Sequence, residues 1–333
     1  MSNKKATIND VAKLAQVGKT SVSRYLNGEL DILSSRIKDR ISSAIIELKY
    51  QPSQIARSMK RGKTKLIALI FTDIKNPYSI DMMLSIEKAC RKKGYTLLVF
   101  NTNNESSQES KIIQSLLSYQ VEGIIIQAVD KQNSNFKNIS YPIVSIDRSI
   151  YGVNCDVITL DNSHATNLII NHLIKNKFNH ILFITEKIKG IQSREERIDS
   201  FNYTMAKYKN IEHQVLELDG TTEFIDKNIL LFYKKNIDQK KAIISINGIT
   251  TLNICHSLKR LNITIGKDIG LIGFDDTNWA AIIGDGISTL KQPIAKIGLS
   301  AVQLLLKRIQ GNQSSCNTIR HKGALIIRGS TTY

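Results

Sequence analysis

Apolar residues along this chain fall into two textures that change at residue 66. From there to about residue 310, short unbroken apolar runs alternate with longer stretches whose apolar positions recur every three or four residues. The runs at 66–71, 96–100, 122–127, 142–146, 157–160, 180–184, 214–218, 242–246 and 269–274 predict strands. The stretches near 78–93, 106–119, 162–176, 193–208, 222–235, 250–261 and 294–310 predict amphipathic helices. Alternation of this kind builds an open parallel sheet with helices on both faces. The series is too long for one sheet, and it pauses near Asp161 and again at Lys291-Gln292-Pro293. Two doubly wound α/β halves joined by several crossings are expected, with a ligand cleft between them at the carboxyl ends of the strands.

Before residue 66 only helical spacing occurs. Thr7, with Asp10 three positions on, reads as a capping box opening a helix whose apolar stripe is Val11, Leu14 and Ala15. Gln16-Val17-Gly18 breaks it, with Gly18 supplying the backbone freedom of a turn. A second helix then sets Val22, Tyr25 and Leu26 on one face and Lys19, Thr20, Ser21, Ser23 and Arg24 on the other. A third, over 34–50, is capped by Ser34 or Ser35 and buries Ile37, Ile41, Ala44, Ile45 and Leu48. Two short helices with a cationic, hydroxyl-rich second member are built like a helix-turn-helix, whose second helix enters the DNA major groove. Lys19, Thr20 and Arg24 are the candidates for base contacts, Arg24 being able to donate two bonds to guanine. Lys4, Lys5, Ser21, Ser23 and Lys60 are candidates for phosphate contacts. Residues 51–62, opened by Pro52 and ended by Gly62, read either as an interdomain linker or as a short basic hinge helix. In the second case Met59 is an apolar wedge for the minor groove.

The charge supports a polyanionic partner. The chain of 333 residues carries a formal +17, and residues 1–65 hold 14 basic against 5 acidic side chains, a net +9. Four cysteines, Cys90, Cys155, Cys255 and Cys316, form no Cys-x-x-Cys pair, so neither a disulfide framework nor a zinc site is expected. Gly18-Lys19-Thr20 and Gly62-Lys63-Thr64 resemble the end of a phosphate-binding loop, but Lys13 and Arg57 stand where its first glycine is required. No nucleophile elbow is present, and six scattered histidines have no ligand spacing. An enzyme acting on sugars is therefore the weaker alternative, and no cofactor or metal is expected. The start of the chain shows no secretory segment and no apolar run long enough to span a bilayer, so a cytoplasmic protein without membrane attachment is expected.

In this order and spacing several motifs resemble the LacI/GalR family of bacterial repressors along essentially the whole chain. They are Thr7-Ile-Asn-Asp-Val-Ala-Lys-Leu-Ala15, Thr20-Ser-Val-Ser-Arg-Tyr-Leu-Asn-Gly28, Leu48-Lys-Tyr-Gln-Pro-Ser-Gln-Ile-Ala-Arg-Ser-Met59, Asp73-Ile-Lys-Asn-Pro-Tyr78, Val121-Glu-Gly-Ile124, Ile146-Asp-Arg148, Asp161-Asn162, Ile272-Gly-Phe-Asp-Asp276 and Gln292-Pro293. The resemblance implies a helix-turn-helix head over 1–50, a hinge helix over 51–62 and a periplasmic-binding-protein-like core over 63–333. Within that core it places one lobe at about 63–161 and 291–319 and the other at about 162–290 and 320–333. It implies a homodimer on a pseudo-palindromic operator, with Thr7, Asn27, Ile55, Ala56, Met59 and Lys60 joining the contacts to DNA. Asp73, Tyr78, Arg148, Asp161, Ser193, Arg197, Asn247 and Asp275 fall on its effector-pocket positions. Three departures stand out. Gln16-Val17-Gly18 replaces the usual Gly-Val-Ser, removing a side-chain cap, and Met59 replaces the usual hinge leucine. Gly248 follows Asn247 where some members have aspartate.

Inside the family, Asn101-Thr-Asn-Asn104, Ser193-Arg-Glu-Glu-Arg197, Lys240-Lys-Ala-Ile-Ile-Ser-Ile-Asn-Gly248 and Gly273-Phe-Asp-Asp-Thr-Asn-Trp279 are similar to regulators of 2-keto-3-deoxygluconate breakdown. That implies a sugar-acid effector whose binding releases the operator. A neutral sugar, with Arg197 and Asp275 forming a structural ion pair, and a corepressor are the alternatives.

Overall fold

The computed structural model describes residues 6–51, 63–129, 136, 139–236 and 239–332. Lys4, Lys5, Ile55, Ala56, Met59 and Lys60, with the hinge that carries four of them, lie outside the described residues. The chain divides into a first unit ending at Thr64 and a second beginning at Lys65.

In the first unit α1 (Ile8–Leu14), α2 (Lys19–Leu26) and α3 (Ser35–Glu47) follow one another. They close on Val11, Ala12, Ala15, Val22, Ile41 and Ala44, with Tyr25, Leu26, Ile37, Ile45 and Leu48 packed around them. Leu14 departs from the expected stripe: it is 41% exposed, and Ala12 is buried in its stead. The turn also differs from expectation. Gly18 has an ordinary φ of −66°, while Gln16 takes the left-handed conformation at φ 51°. Arg40 of α3 fixes Gln16 there by donating from Nη2 to its carbonyl at 3.0 Å and to its Oε1 at 3.1 Å. Ser34 occupies the cap position of α3 without a side-chain cap bond.

The second unit holds two six-stranded sheets. Strands β1 (Leu66–Phe71), β2 (Thr96–Asn101), β3 (Gly123–Ile126), β4 (Ile143–Ile146), β5 (Asp156–Leu160) and β11 (Thr318–His321) form the first, in the order β11-β5-β4-β3-β1-β2. Strands β6 (His180–Thr185), β7 (Glu212–Glu217), β8 (Lys241–Ser245), β9 (Gly270–Phe274), β10 (Ser288–Lys291) and β12 (Ala324–Ile326) form the second, in the order β12-β10-β9-β8-β6-β7. Among the described residues, only the β10–β12 strand pair is antiparallel. Helices α4 (Pro77–Lys92), α5 (Ser106–Tyr119) and α10 (Ile294–Ile309) cover the first sheet, and α6 (Asn162–Lys175), α7 (Gln192–Met205), α8 (Thr222–Lys234) and α9 (Gly248–Arg260) the second.

Two-sided burial explains the unbroken apolar runs. On β1, Ile67, Leu69 and Phe71 pack with Met82, Ile86, Ile297 and Leu305, while Ala68 and Ile70 point the other way, toward Ile113 and Leu116. On β6, Ile181 and Phe183 meet Ile169 and Phe201, while Leu182 and Ile184 meet Ile229 and Leu258. The lobe boundaries need small corrections. Lys291 ends a strand of the second sheet, so the chain returns to the first lobe at Gln292. His321 pairs with Leu160 in the first sheet, so the last switch falls after 321 rather than after 319. No helix among the described residues is long and apolar enough to cross a membrane.

Candidate functional site

On the first unit, the outer face of α2 exposes Lys19, Thr20 and Arg24, with Ser21, Ser23 and Asn27 half-buried beside them. Val22, fully buried, anchors the opposite face. The helix starts at Gly18 with no side-chain cap, as the replacement of serine implies. Thr7 is engaged locally. Its hydroxyl oxygen accepts from the Asp10 amide at 3.4 Å while Asp10 Oδ2 accepts from the Thr7 amide at 2.8 Å, giving the expected box, and the hydroxyl also donates to Asp10 Oδ2 at 2.7 Å.

The second unit brings a charged cluster to the carboxyl ends of its strands. Tyr78 of α4 donates to Asp147 Oδ1 at 2.9 Å, and Gln127 Nε2 donates to Asp147 Oδ2 at 2.9 Å. Thr72, just past β1, holds Gln127 in turn at 2.9 Å. Arg148 turns its Nη1 to the carbonyls of Ala128 and Val129 at 2.6 and 2.9 Å. From the other lobe Arg197 donates through Nε to Asn162 Oδ1 at 2.8 Å and through Nη1 to the Ile246 carbonyl at 2.7 Å. Its guanidinium lies 3.9 Å above the centre of the Phe274 ring. Asp275, at φ 75°, accepts from the Gly248 amide at 3.1 Å and from Gln292 Nε2 at 2.7 Å. Arg197 thus makes no direct bond to Asp275, and the two interact through charge alone.

Burial dominates the titration of this cluster. It raises Tyr78 well above the usual phenol value, reinforced by the negative charge of Asp147. It also raises Asp147, against the opposing bonds from Tyr78 and Gln127. Arg197 is pressed down by burial and supported by the charges of Asp275 and Asp147.

Together Tyr78, Gln127, Asp147, Arg148, Ser193, Arg194, Arg197, Asn247, Asp275 and Gln292 line a cavity of about 70 Å³. Tyr78, Asp275 and Gln292 also border a groove of about 520 Å³ that runs past Asp81, Lys291 and Lys296. Of the expected effector residues, Tyr78, Arg148, Ser193, Arg197, Asn247 and Asp275 are brought together here. Asp73 and Asp161 are not. Asp73 closes a local turn by accepting from the Lys75 amide at 2.9 Å, and Asp161 caps α6 by accepting from the His164 amide at 3.0 Å. Its neighbour Asn162 makes the bond to Arg197 instead. Gln127, Asp147, Arg194 and Gln292 were missed as pocket residues. Each sits next to a strand end or to a residue already singled out, and that adjacency was the available signal.

Space beside Gly248 is tight. A Cβ there would lie 3.1 Å from Thr277 Cγ2 and 3.6 Å from Asp275 Cβ. A second hollow of about 450 Å³, by Cys155 and Cys316, holds one guanidinium, that of Arg308, already bonded to Asp156 at 2.8 Å. No metal-holding cluster of His, Cys, Asp and Glu occurs among the described residues.

Residues 7–53 match the model of bacterial regulatory proteins of the lacI family, and residues 170–331 that of a periplasmic binding protein-like domain. The HTH-type transcriptional regulator PtxS of Pseudomonas aeruginosa is 36% identical over 332 residues, covering 99% of this chain and 97% of that one. This chain belongs to the lacI family. As a member it is a DNA-binding transcriptional repressor and not an enzyme. The HTH-type transcriptional regulator KdgR of Bacillus subtilis is similar as well, 35% identical over 330 residues with 97% of each chain covered. The lacI-family architecture extends to the fold: a lac repressor dimer bound to operator and the anti-inducer ONPF superposes with a TM-score of 0.85, at 20% identity over 99% of each chain.

Proposed function

We propose that this repressor controls a sugar-acid catabolic operon and leaves its operator when a sugar acid such as 2-keto-3-deoxygluconate enters the cleft. One observation carries the effector class. The cavity is lined by three guanidiniums, Arg148, Arg194 and Arg197, against two carboxylates, Asp147 and Asp275. Arg194 is matched by Glu186, so the lining carries no net excess; what favours an acid is a set of guanidiniums able to meet its carboxylate with charge-assisted bonds. Asp147, Asp275, Asn247 and Gln127 then face the effector's hydroxyls. Kinship with KdgR agrees with the motifs similar to regulators of 2-keto-3-deoxygluconate breakdown.

In this reading a cytoplasmic homodimer grips a pseudo-palindromic operator. Lys19, Thr20 and Arg24 read base edges, while Thr7, Ser21, Ser23, Asn27, Lys4, Lys5 and Lys60 hold phosphates. Ile55, Ala56 and Met59 serve the minor groove. Effector and operator oppose one another through a coupling of about 1–3 kcal/mol per site, felt equally by both ligands. Calorimetry of the purified chain against 2-keto-3-deoxygluconate, gluconate and glucose, with gel shifts on the DNA upstream of its gene, tests this. Binding of an acid together with release of that DNA is expected. Binding of glucose in preference to both acids, or tighter DNA binding with the acid, overturns it.

A further inference from the structure

The three arginines of the cavity are not equivalent. Arg197 spends Nε on Asn162 and Nη1 on the Ile246 carbonyl, with its face on Phe274. Arg148 commits Nη1 to two backbone carbonyls. Both are tied to the walls. Arg194, on the first turn of α7, differs: its Nη1 donates to the Lys187 carbonyl at 2.8 Å, and its Nη2 meets the carboxylate of Glu186.

Glu186 follows β6 immediately, at the strand end where ligands bind in such sheets. Its Oε1 accepts from Asn247 Nδ2 at 3.1 Å and from Thr250 Oγ1 at 3.3 Å. One carboxylate is therefore held by a guanidinium, an amide and a hydroxyl, and two of these donors, Arg194 and Asn247, belong to cavity-lining residues. The chain has built a carboxylate site and occupies it itself. The occupant is removable, because the Glu186 side chain is 34% exposed and can turn to water at little desolvation cost.

We propose that Arg194 is the residue that selects an acid over a neutral sugar, and that Glu186 is an internal stand-in which the effector's carboxylate displaces. The exchange swaps one carboxylate for another, so no buried charge is left unmatched. A neutral sugar cannot make it, and leaves the Arg194–Glu186 pair in place. This rests on the sugar-acid reading above and identifies the group that enforces it.

The test is calorimetry of the full chain and two variants against 2-keto-3-deoxygluconate, gluconate and glucose, with thermal unfolding of each variant as the folding control. Arg194→Gln lowers acid affinity by about 10- to 100-fold, the value of a charge-assisted contact, without lowering affinity for any neutral sugar that binds. Glu186→Gln raises acid affinity severalfold, because the competing charge is gone. A scaffold residue would lower it. If acids bind the natural chain and Arg194→Gln equally well, or if Glu186→Gln weakens them, this inference fails while the sugar-acid reading stands. If the natural chain binds neither acid, both fail.

Discussion

In the proposed function Arg197 serves both folding and recognition. Its two committed nitrogens satisfy Asn162 and the Ile246 carbonyl inside the protein, so truncation strands both acceptors. Arg197→Ala is expected to cost about 3 kcal/mol in urea-induced unfolding and to abolish effector release in a gel shift. On α2 the contrast is clear, because Arg24 is exposed and its removal disturbs no packing. Arg24→Ala should leave the unfolding midpoint unchanged and cost about 1–3 kcal/mol of operator affinity, relaxing preference at one base position. Equal weakening on every DNA sequence would reduce Arg24 to a phosphate contact. Tyr78, Arg148 and Arg197, expected from the family resemblance, come together in one cavity, whereas Asp161 caps α6 and its neighbour Asn162 makes the bond to Arg197. Spacing fixes the helix start, not which side chain turns inward.

At the scale of elements, the helices fell within three residues of expectation, because a stripe of apolar residues and a capping residue are both local signals. Strands β10, β11 and β12 escaped. Ser288 and Thr289 of β10 are buried through hydroxyl bonds, Ser288 with Thr331 at 2.6 Å and Thr289 with Asp276 at 2.8 Å, and hydrophobicity registers neither. Thr318-Ile319-Arg320-His321 of β11 is an edge strand with no apolar run. What fastens that edge is Asp156, at the start of β5, which accepts from Arg308 of α10 at 2.8 and 3.1 Å and from the Asn317 amide at 2.9 Å. Burial pushes the Asp156 carboxyl up, but the Arg308 and Asn317 bonds outweigh it and hold it below the ordinary 3.8. A carboxyl lowered by folding stabilises fully above its unfolded value and loses that contribution as pH falls through its folded one. Asp156→Asn should therefore lower the melting temperature at pH 7, with the gap to the natural chain closing as pH drops below about 3.8. A gap independent of pH would show that the pair adds no charge-dependent stability.

Across the whole molecule, His172, His180 and His321 are all held below the ordinary 6.5, in each case first by burial. Above that value they are neutral whether folded or not. As pH falls below it the unfolded chain takes up protons that the folded chain refuses, so stability declines. The melting temperature is expected to be lower at pH 5.5 than at pH 7.5; a flat profile would contradict the burial of these rings. The sequence made the two-lobed plan legible through the pauses near residues 161 and 291. Hydrophobic pattern alone did not show which late segments return to which lobe, because that depends on strand pairing far apart in sequence; the assignment of 291–319 and 320–333 came from the family resemblance.

That return has a consequence for biosynthesis. Helix α10 and strand β11 complete the first lobe, yet they are translated after β10 of the second. A chain emerging from the ribosome therefore carries Ile67, Leu69 and Phe71 on a face still missing Ile297 and Leu305 until α10 has been made. Neither half can mature ahead of the other, and a nascent polypeptide stalled before residue 294 presents greasy surface to the chaperones around it.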